Sequence, residues 1–347
     1  MPGAGESAGP REARACLRVL DRLRSDAAVC VVGSLNADLR VSTERLPRPG
    51  ETVPGGPLRI LPGGKSANQA VACALLGVPT TMVGAVGDDA NGRLLLESLD
   101  AAGVATDAVV RLPVATGTAV ITVDTAGENT IVVSPGANGE LGPAMVAGAS
   151  GPIAAAGALG LCLEVPDGAL LAALDAAAHG APAPHGAPAP GGPLVVLNPS
   201  PVRPVPDRLL ASADVLIVNE HELSVLLGGG FARPDEILAA PRAVAAGLAG
   251  LGVDRAVVTL GAAGSLALGP DGPARVPGWS VPVVDTTGCG DSFMGALLAC
   301  LAGGIPLADG ARLAGAVSAL AACGPGARGS YPDAGRVRDF LSAAARA

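Results

Sequence analysis

The segment Val284–Leu298, VDTTGCGDSFMGALL, carries the densest chemistry in the chain. Its apolar start reads as a strand ending at Val284. Asp285, Thr286 and Thr287 follow, then Gly288-Cys289-Gly290, then Asp291 opening a helix. Small residues at a strand-to-helix turn let consecutive backbone N–H groups point into one concavity with the positive end of the helix behind them, which makes an anion hole. A carboxylate at Asp291 is kept ionised by the same field, ready to accept a proton. Phosphoryl transfer asks for little more, because its transition state is loose and the nucleophile needs aim and modest activation. Amides at Gly288–Gly290 would stabilise charge on the transferring group. The same residues also read as a glycine turn with Asp291 as a helix cap.

Other segments join this one. In Leu61–Ala72, LPGGKSANQAVA, Gly63-Gly64 permits close approach of backbone to a ligand, and Lys65 and Asn68 lie about one helical turn apart. It is not a Walker loop, because Arg59 stands where GxxxxGK[ST] needs its first glycine. Lys65 is the only lysine of the chain, and in so arginine-biased a sequence its retention favours function over a plain Gly-Gly turn. In Val31–Leu39, VVGSLNADL, Asn36 and Asp38 follow a strand at alternate positions. They can face one side and suit a vicinal pair of sugar hydroxyls, although Asn-x-Asp after a strand also describes a turn. In Val218–Glu222, VNEHE, Asn219 and Glu222 fall on one face of a starting helix, as ligand groups or as a cap. Thr259–Gly264, TLGAAG, is a strand-end glycine turn that suits a nucleotide, and Glu164 ends another strand. Such strand ends line the usual ligand crevice of a parallel sheet.

The elements that must position these residues alternate regularly from Ala27. Apolar runs at Ala28–Val32, Thr81–Val86, Ala156–Leu163, Leu194–Leu197, Val215–Val218 and Ala256–Leu260 read as buried strands. Ser66–Leu76, Gly92–Ala102, Gly168–Ala178 and Pro241–Ala249 read as helices between them, and Asp291–Leu301, Leu307–Ala322 and Gly335–Ala345 as helices after them. That pattern predicts an α/β fold with a mostly parallel sheet covered on both faces. Two stretches break the rhythm, Leu39–Leu61 and a hairpin at Thr116–Val133, and together they predict a small separate sheet serving as a lid. Residues 1–26 read as a flexible extension, with a short amphipathic helix at Arg11–Arg24, before a domain spanning 27–347. Residues 179–192, HGAPAPHGAPAPGG, read as a flexible low-complexity surface loop, and the metal-binding alternative for His179 and His185 is the weaker one.

Composition bounds the class. Of 347 residues, 49% are hydrophobic, enough for a sizeable core, and only 1% are aromatic. A net charge of −8 without a basic stripe or stacking aromatics argues against nucleic-acid binding. An acidic protein that handles phosphates must then draw positive potential from backbone amides, a few basic side chains or metal ions. Seven scattered cysteines without a CxxC pair predict buried thiols in a reducing compartment rather than disulfides or zinc. No apolar run has membrane length and the N-terminus lacks a signal-peptide pattern, so a cytoplasmic location is expected.

These segments, in this order from about Ala28 to Phe340, resemble the ribokinase family of carbohydrate kinases, the phosphofructokinase-B type. The match also takes in RPGETV, GDDANG, TGTAVITVDTAGENTIVVSPGAN, LEVP, LNPSP and the tail CGPGARGS. The resemblance implies a three-layer, doubly wound α/β fold with a β-sheet lid. It implies ATP-dependent phosphorylation of D-ribose at the 5-hydroxyl, with Asp291 as base and the amides of Gly288, Cys289 and Gly290 as anion hole. Asn36, Asp38, Gly64, Lys65, Asn68, Glu164 and Asp291 match sugar-contacting positions. Asn219 and Glu222 match a pair near the nucleotide phosphates and magnesium, and Thr259, Gly261, Gly264 and Gly290 match nucleotide-binding positions. Asp285, Thr287, Ala321, Gly324, Gly326 and Ser330 match a potassium site built chiefly from carbonyls. A homodimer through the lid is also implied. Cys289 replaces the usual Ala or Ser, and Ser66 stands where Gly is common. Other substrates stay open: deoxyribose, a nucleoside or a fructose derivative. A phosphosugar would need more basic residues than Lys65 and distant arginines supply. A non-catalytic sugar sensor would have lost Asp291 or the glycine turn, and a dehydrogenase would need GxGxxG after the first strand.

Overall fold

The computed structural model describes residues 7–178 and 192–347. Among these the strands are β1 Val29–Val32, β2 Asn36–Ser42, β3 Arg59–Gly63, β4 Thr80–Gly87, β5 Val104–Ala105, β6 Val109–Leu112, β7 Thr118–Val123, β8 Asn129–Ser134, β9 Ala158–Cys162, β10 Leu194–Asn198, β11 Val215–Asn219, β12 Ala256–Thr259, β13 Ser265–Leu268 and β14 Ala274–Val276. β1, VCVV, is buried at every position. Val29 and Val31 enter the core on one face, and Cys30 and Val32 enter it on the other. That two-residue period, apolar on both sides, is why the run does not alternate with polar residues.

The main sheet runs β14-β13-β12-β11-β10-β9-β1-β4-β5, with β6 also on β4. It is parallel from β12 to β5 and ends in the antiparallel pair β13 and β14. Helices Lys65–Leu75, Cys289–Ala302, Leu307–Ala321 and Ala334–Ala344 build one core layer, and Asp167–Ala178 and Pro241–Ala249 contribute to the other. The chain passes from β1 to β4 on one side and later to β9 on the other. Strand order therefore reverses at β1, and a crevice opens there at the carboxyl ends of the strands.

The expected lid is a second sheet, β3-β2-β7-β8, with β7 and β8 forming the hairpin. Two expectations change. Residues 10–20 are not a loose extension: the helix Pro10–Leu20 buries Ala13, Cys16, Val19 and Leu20 in the core that also holds Val337 and Leu341. It is shorter than the amphipathic pattern suggested, ending at Leu20 rather than Arg24. The stretch before Asp285 is not a strand, and Val283 and Val284 are exposed. Val284 N–H instead donates to Ala322 O at 2.8 Å, pinning the segment to the end of helix Leu307–Ala321. Short helices at Pro143–Gly148, Ser150–Ala155 and Asp207–Ala211 lie in stretches without a clear helical period. The repeat with His179 and His185 falls almost wholly outside the described residues.

Candidate active site

The helix carrying Asp291, Cys289–Ala302, starts from Gly288 in the left-handed conformation at φ 75°. A Cβ there would lie 2.5 Å from the Tyr331 hydroxyl and 2.7 Å from Ala327 Cβ, so the turn needs glycine. The first intrahelical bond is Ser292 N–H to Gly288 O at 2.9 Å. The N–H groups of Gly290 and Asp291 thus precede any intrahelical acceptor, as an anion hole requires. Cys289 differs from expectation, because its N–H donates to Thr286 O at 3.2 Å. Its thiol is pushed up to about 11 by burial, so it stays protonated at neutral pH.

Asp291 is buried, and its Oδ2 accepts a hydrogen bond from Asn68 Nδ2 at 2.9 Å. Burial raises its pKa, and Lys65, the Asn68 amide and Arg328 oppose the rise. Burial pulls the Lys65 pKa down, but Asp291 and Glu164, with smaller help from Cys162 and Glu222, outweigh it and raise the pKa. Glu164 follows β9, accepts from Ser34 Oγ, and also accepts from Lys65 N–H at 3.3 Å. Burial raises its pKa against the pull of Lys65. Gly64, at φ 90°, brings the start of helix Lys65–Leu75 against β2, where a Cβ would meet Asn36 N at 2.7 Å.

Asn36 and Asp38 share one side of β2, as the alternate spacing predicts. Asn36 Oδ1 accepts from Asn138 Nδ2 at 2.8 Å, and Asn138 also bonds Leu35 N–H and O, which fixes its orientation. Burial pushes Asp38 up to about 6, with Glu164 and Asp291 adding to the rise and Arg328 opposing it. A cavity of about 330 Å³ between lid and body is lined in part by Asp38, Arg40, Leu61, Asp285 and Thr287. Beside this cavity, and sharing Asp38 with it, the segments after β1 and β9, the lid and two helix starts bring a charged cluster together: the carboxylates Asp38, Glu164 and Asp291 and the cations Lys65 and Arg328.

The strand ends towards β12 carry the other expected residues. Asn219 and Thr259 are register partners at the carboxyl ends of β11 and β12. Asn219 caps helix Glu220–Leu226 in a reciprocal capping box with Glu222, and Asn198 Nδ2 donates to Glu222 Oε2 at 3.3 Å. The cap reading of VNEHE therefore describes the geometry, and Glu222 also contributes to the field at Lys65. Gly261 and Gly264 form the tight turn after β12, closed by Leu260 N–H to Gly264 O at 2.9 Å. Across the body, burial disfavours charge on Asp285, yet donors from Thr287, Gly326 and Arg40 hold it down to about 2. Ser330 Oγ lies 2.9 Å from Gly326 O and 2.7 Å from Ala327 O, either of which can accept its one hydrogen, and Gly324 N–H reaches Ala321 O at 3.4 Å. The cation-site positions therefore form one connected loop pair.

Sequence reasoning missed Arg328, Asn138, Ser34 and Arg40. Arg328 also corrects an expectation: it is not a distant arginine but a half-buried one bonded to Asn68 and Gly63 O beside Asp291. Its place as the one charged residue of the glycine-rich tail CGPGARGS was the available signal. Asn138 closes the quoted motif SPGAN, and nothing marked its role.

A lid over the strand-order reversal, a buried carboxylate at a helix start and a glycine turn at the end of β12 fit one class: an α/β phosphotransferase acting on a small polyhydroxylated molecule. The pfkB family carbohydrate kinase model matches residues 26–334. A ribokinase of Bacillus subtilis is 33% identical over 316 residues, covering 90% of this chain and 99% of that protein. A ribokinase of Schizosaccharomyces pombe is 37% identical over 314 residues, covering 88% and 94%. The structure of Arabidopsis thaliana ribokinase complexed with ribose and ATP superposes with a TM-score of 0.81 at 34% identity, covering 91% of this chain and 98% of that one. The chain belongs to the pfkB family of carbohydrate kinases.

Proposed function

We propose that the chain phosphorylates D-ribose at its 5-hydroxyl with ATP. The observation that carries this reading is Asp291: buried, bonded to Asn68, and placed at a helix start in the field of Lys65. Asn36, Asp38, Gly64, Lys65, Asn68 and Glu164 would hold and orient the sugar. Asn219, Glu222, Thr259, Gly261, Gly264 and Gly290 would border the nucleotide. The Asp291 carboxylate takes the hydroxyl proton as the sugar oxygen bonds to the γ-phosphorus. The bond from that phosphorus to the β,γ-bridging oxygen breaks, and ADP leaves. Amides at the start of helix Cys289–Ala302 face the charge that builds on the transferred group.

Magnesium fits as a companion of ATP, since it needs one or two carboxylates beside the phosphates and water, and Glu222 is the candidate. When bound, it would neutralise charge on the β- and γ-phosphates. Among the described residues no group of three or more His, Cys, Asp or Glu forms a dedicated metal site. Potassium fits the loop pair at Asp285, Thr287, Ala321, Gly324, Gly326 and Ser330, which offers hard oxygen donors and a carboxylate held ionised, although Arg40 and Gly326 already occupy Asp285 Oδ2. Residues 7–178 and 192–347 are read as one kinase domain bearing the lid, in a cytoplasmic protein. Among the described residues no helix is long and apolar enough to cross a membrane.

The test is a phosphorylation assay with ATP and magnesium across ribose, deoxyribose, nucleosides and fructose phosphates, run in potassium and in sodium. The expected result is ribose 5-phosphate as the preferred product, with higher activity in potassium. Preference for a nucleoside or a phosphosugar would overturn the substrate assignment, and equal rates in the two salts would overturn the potassium assignment.

A further inference from the structure

Arg328 lies on the 3-10 turn Arg328–Ser330, after helix Leu307–Ala321. Its Nε donates to Asn68 Oδ1 at 2.8 Å, its Nη2 to Gly63 O at 2.5 Å, and its Nη1 to Ser98 Oγ at 3.3 Å. Asn68 in turn donates from Nδ2 to Asp291 Oδ2 at 2.9 Å. We propose that Arg328 is a positioning residue for the base: it holds the Asn68 oxygen so that the Asn68 amide nitrogen faces Asp291, and it anchors the glycine turn under the sugar. The proposal rests on Asp291 being the base.

The two ends of an asparagine amide have nearly the same shape, so their partners decide which end points where. An arginine N–H on Oδ1 leaves only Nδ2 for the carboxylate. Without that donor the amide is free to turn, and Asp291 loses a fixed partner. The planar guanidinium reaches Asn68, Gly63 and Ser98 at once through its spread donors, and a lysine ammonium would not reproduce that fork. Desolvation of the half-buried guanidinium pulls its pKa down to about 10, so it remains cationic at neutral pH. The charged and titratable groups that face Asp291 are Lys65 from helix Lys65–Leu75, Arg328 and Tyr331 from the loop before helix Ala334–Ala344, Glu164 after β9, Asp38 on β2, and Cys289 on its own helix. Arg328 is thus one of two cations that oppose the burial-driven rise in the Asp291 pKa.

The test compares Arg328→Lys, Arg328→Gln, Asn68→Ala and the Asn68→Ala/Arg328→Gln double variant for kcat, ribose KM and pH profile. Arg328→Gln is expected to lower kcat about 10- to 100-fold, the scale of a misplaced catalytic group. KM should change less, and the acid limb of kcat should move to higher pH because the counter-charge is gone. Arg328→Lys should keep the acid limb but still lose kcat. In the Asn68→Ala background, Arg328→Gln should cost much less than it does alone, since the two act in series. A readout that needs no turnover is the side-chain amide NMR signal of Asn68, assigned by its loss in Asn68→Ala. It should titrate with Asp291, stop doing so in Asp291→Asn, and titrate at higher pH in Arg328→Gln. Fully additive losses, an unmoved acid limb, or an Asn68 titration unchanged in Arg328→Gln would overturn the proposal. Failure of the base assignment reads differently: Asp291→Asn would keep its kcat, while the amide titration would still report on Arg328.

Discussion

Asp38 shows how the pocket sets function against stability. Its folded-state pKa of about 6 lies above the roughly 3.9 of a free aspartate. The folded state therefore binds that proton more tightly than the unfolded chain does. The resulting cost to stability is fully present above pH 6 and is relieved as pH falls towards 4. Asp38→Asn removes the charge and should raise Tm at pH 7 by about 2–4 °C. It should also weaken ribose binding, and the rise in ribose KM expected of wild type on acidification through pH 6 should be absent from the variant. Calorimetric melting and KM measured against pH check both halves. A Tm that falls at pH 7, or a variant KM that keeps the wild-type pH dependence, would contradict this account of the residue.

At the scale of elements, the lid presents two different faces. Register places Leu39 beside Ile60 and Val120, and Val120 beside Val132, in one row across the sheet. Asp38 and Arg40 point to the other side, towards the body. Ile60, Val120 and Val132 are exposed, with Val132 at 68%. An apolar sheet face of this kind on a single chain fits a two-fold partner of the same kind. Wild type is expected to be a dimer at micromolar concentration by light scattering, and Val132→Asp a monomer. A monomeric wild type, or an unchanged mass in the variant, would contradict the lid dimer.

The main strands and longer helices were legible in the sequence to within about two residues, because parallel strands buried on both faces are written as continuous apolar runs. The lid was legible through its break in rhythm and the turn at Gly127. The stretch ending at Val284 misled: adjacent valines announce a strand, but the residue that follows helix Leu307–Ala321 takes the Val284 N–H instead. Among the site residues, those at glycine turns and strand ends could be read from spacing. Arg328 and Arg40 could not, since each meets its partner across more than 240 residues of chain.

For the whole molecule, the reversal of strand order at β1 explains why residues so far apart in sequence share one pocket. β1 and β9 are parallel neighbours, so the segments after them bring Ser34, Asn36 and Glu164 together. Helices Lys65–Leu75 and Cys289–Ala302 pack in the same layer, where a Cβ on Gly295 would lie 2.3 Å from Gln69 O, and their starts hold Lys65, Asn68 and Asp291. The central claim is that this convergence makes Asp291 a general base. The most direct measurement is kcat of Asp291→Asn with ribose and ATP, alongside ribose affinity by calorimetry. General-base catalysis contributes roughly 10²–10⁴-fold, so kcat should fall by about that factor while ribose still binds. A variant that kept more than about a tenth of wild-type kcat would contradict the claim and leave Asp291 as a residue of the helix start alone.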